Sequence, residues 1–149
     1  MIMKMTKLFT YFFLMLFVSL TTISCLSDDS DEPYYTYGFV PATAIDINLD
    51  SIQPVSQITN VKVTFNLAGS CQEFIEFRRI LPVEVNETKI GVFGSQKNNS
   101  QCTNEIIPTV RTLKFIPTSA GEQTIKFWAG KDPGGADIYI SKTITVPAE

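Results

Sequence analysis

Histidine is absent from all 149 residues. With it go the commonest general base, the Ser-His-Asp and Cys-His arrangements and most zinc sites. Paired carboxylates and an all-oxygen calcium site stay open. Cysteine is scarce, at three residues, and no CxxC redox pair occurs. Tryptophan appears once, as Trp128. A basic excess is also missing. The formal net charge is −3, and from Pro33 onward 11 acidic side chains face 10 basic ones. A near-neutral domain lacks the clustered Lys and Arg that nucleic acid demands, so no nucleic-acid partner is expected. No enzyme motif stands out, and neither catalysis nor a cofactor or metal is expected. Internal repeats and a second folded domain are absent as well.

What is present begins at the N-terminus. Lys4 and Lys7 form a short basic start, and the 13-residue Leu8 to Leu20 run (LFTYFFLMLFVSL) is almost wholly apolar. A membrane span needs about 20 residues, and this run approaches that only if extended through Ile23, which leaves a single-span anchor as the second reading. Basic start, apolar centre and small polar end make a secretory signal peptide over residues 1–24. Leu20-Thr21-Thr22-Ile23-Ser24-Cys25 resembles a bacterial lipoprotein signal, with Thr22 where Leu is usual. The resemblance implies cleavage after Ser24, a diacylglycerol thioether on Cys25 Sγ and an acylated new N-terminus. The membrane then becomes a partner through the lipid anchor.

Residues 25–34 read as an acidic, solvated tether. Ser27, Asp28, Asp29 and Asp31 look like the acidic export tag that follows the lipidated cysteine in surface-displayed lipoproteins of some Gram-negative bacteria. That likeness implies an outer-membrane protein, lipid-anchored and facing outward.

Residues 35–149 change character. Short runs alternate apolar and polar: Thr43–Leu49, Asn60–Leu67, Glu73–Leu81, Lys89–Phe93, Arg111–Ile116, Thr124–Ala129, Ile138–Ser141 and Thr143–Val146. Period two with one apolar face is the mark of half-buried strands. Turn residues separate them at Leu67–Ser70, Gly94–Ser100, Pro117–Gly121 and Asp132–Gly135. The expectation is all-β: a single antiparallel sandwich of about seven to eight strands, with a closed barrel as the alternative. "FIPTSAGEQTIKFWAG" (Phe115–Gly130) and "ISKTITV" (Ile140–Val146) resemble the late strands of bacterial immunoglobulin-like domains, which implies a fold class and not an activity.

With Cys25 given to lipid, Cys71 and Cys102 remain. An oxidising exported compartment would pair them and clip a loop to a strand start; the alternative is two reduced thiols. Trp128 should face outward beside Lys126, opposite Ile125 and Phe127. With Tyr35 and Tyr37 it is a candidate contact for a glycan or protein ligand; packing on the sheet is the plainer reading. Asp50-Ser51-Ile52 resembles a bacterial O-glycosylation acceptor, making Ser51 a candidate. Asp132 and Asp137 read as hairpin-turn acids and not as calcium ligands. Glu76 and Arg78 share a face and can pair. The functional expectation is a non-enzymatic binding or adhesion module. A structural accessory subunit of an outer-membrane complex and an enzyme inhibitor are the alternatives.

Overall fold

The computed structural model describes residues 32–148 apart from 83 and 99. The signal segment, Cys25, Ser27, Asp28, Asp29 and Asp31 lie outside the described residues. Eight strands follow in chain order: β1 (Tyr34–Val40), β2 (Ala42–Asp46), β3 (Thr59–Leu67), β4 (Gln72–Arg79), β5 (Glu87–Asn98), β6 (Ile107–Phe115), β7 (Gly121–Lys131) and β8 (Asp137–Val146). They form two packed sheets. One is β2-β3-β6. The other centres on β5, with β4 along one edge, β1 and β7 sharing the opposite edge, and β8 outside β7. The architecture is the expected β-sandwich. Among the described strand pairs one is parallel, β5 with β7, and the others are antiparallel.

Strand β3 shows how the sequence builds the core. Val61, Val63 and Phe65 point inward and are fully buried, while Asn60, Lys62 and Asn66 point to water. Ile90 and Val92 of β5, Ile125 and Phe127 of β7, and Ile144 and Val146 of β8 meet them from the other sheet. Phe65 packs its ring 5.6 Å from that of Phe74. Phe65→Ala is therefore expected to cost about 3–5 kcal/mol of unfolding free energy. Urea unfolding checks this, and a loss under about 1 kcal/mol would show that the site collapses around the cavity.

Three local expectations change. The run Glu73–Leu81 does not alternate regularly, because a register shift between Phe74 and Glu76 inserts one residue in β4. Such a bulge reverses the alternation. Phe74 and Phe77 thus both pack on the core, and Ile75 is exposed. Gly94 to Asn98 is not a turn but the second half of β5. Gly94 serves close approach there: a Cβ would lie 2.7 Å from the Glu73 carbonyl oxygen, a recognised use of glycine within strands. The last two predicted strands are one continuous β8.

The sheets are linked at one end by crossing segments. The chain passes from β3 to β4 and later from β5 to β6, each time changing sheet. Cys71 and Cys102, one in each crossing, form a disulfide with Cα atoms 5.5 Å apart. Around it Ser70 N–H donates to the Thr103 carbonyl at 3.3 Å, and Thr103 N–H donates to Ser70 Oγ at 3.0 Å. Lys97 N–H donates to the Cys71 carbonyl at 2.9 Å, extending the β4–β5 ladder to the cysteine. Gly69 has φ +147°, and a Cβ there would sit 2.0 Å from the Thr103 oxygen, so only glycine fits the clipped corner.

Candidate binding face

The two outward faces of the sandwich differ. On β2-β3-β6 most outward residues are small or polar, Ala44, Asp46, Asn60, Lys62, Thr64 and Thr112 among them; Pro108 and the exposed Val110 of β6 are apolar, and no outward aromatic ring is found among the described residues of this face. That is an ordinary solvated sheet face. On the five-stranded sheet the outward positions carry rings: Tyr35, Tyr37 and Phe39 from β1, Phe93 from β5, Trp128 from β7 and Tyr139 from β8.

These rings are brought together by pairings distant in sequence. Strand β5 changes partner at Gly91: residues Glu87–Ile90 pair with β7, and Val92–Asn98 pair with β1. The end of β1 is thereby set beside β7. Phe39 lies over Gly91, where a Cβ would meet its ring at 2.4 Å. The missing side chain is what admits the ring. From Phe39 the contacts spread both ways, to Phe93 at 5.8 Å edge-on and to Trp128 at 6.0 Å between ring centroids. Tyr37 stacks parallel to Phe93 at 6.3 Å, and the Arg78 guanidinium lies 3.4 Å above the Phe93 ring. Aromatic pairs at these spacings each stabilise by about 0.5–1.5 kcal/mol beyond area burial. Tyr35 and Tyr37 nevertheless remain 52% and 63% exposed, so the stripe is held in place by packing yet open to solvent.

Ion pairs frame the stripe. Arg78 Nε is 2.6 Å from Glu76 Oε1, as the shared face implied. Both are about half exposed, so the pair itself is worth only ~0–1 kcal/mol. Glu87 sits between two lysines, with Lys126 Nζ at 2.6 Å and Lys89 Nζ at 3.4 Å, while Lys89 also reaches Glu84 at 2.6 Å. Glu87 Oε1 is buried without a hydrogen bond. The Lys89 ammonium at 3.4 Å compensates its charge electrostatically. The Lys126 hydrogen bond holds the Glu87 carboxyl below its ordinary value, and the Glu84 hydrogen bond raises Lys89.

Trp128 is oriented by chemistry as well as packing. Its indole N–H donates to Asp137 Oδ1 at 2.9 Å, and Lys131 Nζ donates to the same oxygen at 3.0 Å. The indole first, then the lysine, hold the Asp137 carboxyl below the usual aspartate range. A depressed carboxyl stabilises the fold above its unfolded value, and that support is lost as pH falls through the folded value. Trp128 is the single tryptophan. Its emission should therefore shift on acidification with a midpoint below that of an ordinary aspartate, about 3.9, and Asp137→Asn should remove that transition. A midpoint at or above the ordinary value, or an unchanged transition in the variant, would contradict the assignment. Asp132 serves the turn instead. Its Oδ1 accepts from Ala136 N–H at 2.8 Å and shapes the β7–β8 connection.

No protein-family model, curated protein or solved structure matches this chain. The character of the face therefore rests on its own geometry. Of the residues singled out from sequence, Tyr35, Tyr37 and Trp128 share this one face, and Trp128 points outward as its alternation with Ile125 and Phe127 required. Ser51 lies elsewhere. It sits in a single 3-10 turn, Leu49–Ser51, with its Oγ donating to the Asn48 carbonyl at 2.9 Å. It lines a polar recess of about 380 Å³ with Asp46, Asn60 and Lys62. Phe39 belongs to the same aromatic cluster near the start of the domain as Tyr35 and Tyr37, and Arg78 stands out only as a partner for Glu76, while Phe93 carries no comparable signal in the sequence. The place of Phe93 beside that cluster becomes visible only once β1 is known to pair with β5.

Proposed function

We propose that the chain is a surface or outer-membrane lipoprotein whose sandwich acts as a non-enzymatic binding or adhesion module for glycan or protein. Cys25 carries the lipid, the acidic stretch that precedes β1 tethers the domain, and the outward aromatic stripe of the five-stranded sheet makes the contact. One observation carries the reading. The two outer faces of one sandwich differ, and the aromatic one keeps its rings oriented yet exposed. Packed, partly exposed Tyr and Trp side chains supply large contact area at low entropic cost, which is why such residues dominate binding hot spots. Lipidation of Cys25 is supported by the signal-like sequence before it, and outward display by the acidic run after it. In this reading Ser51 is a surface hydroxyl open to glycosylation, away from the stripe.

Display is tested on whole cells. Replacing Asp28, Asp29 and Asp31 by Ala should remove protease accessibility while the protein stays membrane-bound; unchanged accessibility would overturn the export role. Binding is tested by capture on the immobilised protein from surface-labelled cells. A retained glycan or protein, lost with Trp128→Ala, is expected. Retention undiminished by the substitution would place the contact elsewhere.

A further inference from the structure

Strands β4 and β6 are both edges, one from each sheet, and they face each other along one open side of the sandwich. Arg111, at an inward position of β6, covers one end of this seam with its guanidinium 5.9 Å from the Phe74 ring. The other end stays open as a cleft of about 200 Å³. Its floor is apolar, formed by Phe77, Ile90, Leu113 and Phe115, of which Phe77 and Leu113 are only partly buried. Arg79 and Lys114 stand exposed at the rim, and neither has an ion-pair partner among the described residues. The third basic group, Arg78, is already engaged by Glu76 and the Phe93 ring. Among the described residues no acidic side chain lines the cleft, although acids outnumber bases in the domain.

An apolar floor under an uncompensated basic rim fits a ligand with the opposite arrangement. We infer that this cleft binds a free aliphatic carboxylate of short chain. The chain covers Phe77 and Leu113, removing apolar surface from water. The carboxylate lies between Arg79 and Lys114, which are hydrated cations without partners. The volume is below the ~300–1,000 Å³ of sites that enclose drug-sized molecules, so the chain is short. The cleft is separate from the aromatic stripe, and the two can be occupied together.

Amide-shift titration of the full chain carrying Cys25→Ala tests this, with sodium octanoate as probe. Octyltrimethylammonium and octyl glucoside carry the same chain on a cationic and a neutral head. Octanoate should give saturable shifts confined to Phe77–Arg79, Thr88–Ile90 and Leu113–Ile116, and the other two heads should bind about tenfold more weakly or not at all. Arg79→Glu with Lys114→Glu should weaken octanoate by about tenfold or more. Lys114→Gln alone, the milder change, should weaken it by roughly threefold. Equal binding of the three heads, octanoate affinity unmoved by these variants, or shifts centred on Tyr37 and Trp128 would each overturn the inference.

Discussion

Replacing Cys71 and Cys102 together by serine is expected to lower stability by roughly 3.5–4 kcal/mol, from the chain-entropy cost of a closed loop of this length. The two cysteines are 31 residues apart. A loss of that size is a large part of the ~5–15 kcal/mol that holds a small domain folded. In a thermal scan it corresponds to a fall of roughly 15 °C. The effect is not confined to chain entropy. The bridge joins the two segments in which the chain changes sheet, and it holds Ser70 and Thr103 in register for their paired hydrogen bonds. Loosening it frees that end of the sandwich while the core of Val61, Phe65 and Phe127 stays packed. The double variant should therefore keep its strand signature by circular dichroism yet unfold earlier. A loss below about 1 kcal/mol would mean that the hydrogen bonds around the corner suffice without the covalent link.

Cys25→Ala should abolish incorporation of labelled fatty acid and leave the chain uncleaved after Ser24, a change read by acyl labelling and by mass. Each buried CH₂ contributes about 0.8 kcal/mol, and one acyl chain anchors only marginally while several hold firmly. Removing the thiol removes every chain that the lipoprotein resemblance implies, because processing and acylation both depend on it. The change is close to all-or-none, unlike the graded effects of core substitutions. Absence of acyl label and of cleavage in the unaltered protein would instead favour the apolar run Leu8–Leu20, extended through Ile23, as a span. The two outcomes are separated by acyl labelling together with the mass of the mature chain.

Much of the fold is legible where one residue type decides one orientation. Strand β3 alternates without interruption, so Val61, Val63 and Phe65 declare their face. The same regularity in β7 places Trp128 outward before the later shift between Trp128 and Gly130. The disulfide is legible once Cys25 is read as the lipid site, since Cys71 and Cys102 are then the two that remain. Legibility fails where pairing, not composition, fixes the outcome. Gly94 to Asn98 carries turn-forming residues but is held straight by β1 on one edge and β4 on the other. The bulge in β4 reverses Phe77 relative to Ile75, and no local composition marks it. The aromatic stripe is half visible for the same reason. Tyr35 and Tyr37 stand out as a cluster, but their neighbour Phe93 lies on a strand far along the chain, and the seat for Phe39 is the empty position at Gly91.

That stripe is the centre of the proposed function, and comparing the two faces of the sandwich tests it most directly. Tyr35, Tyr37 and Trp128 are replaced together by serine in one variant. In a second, Lys62, Thr64 and Thr112 on the opposite face are replaced by alanine. The first variant gives up the Tyr37–Phe93 and Trp128–Phe39 contacts and the Trp128–Asp137 hydrogen bond and should be the less stable of the two, so capture is compared where circular dichroism shows both folded. Capture of labelled surface material should fall by about tenfold or more in the first and stay unchanged in the second. Equal capture by both variants, or loss only in the second, would contradict the assignment of the aromatic face as the binding surface.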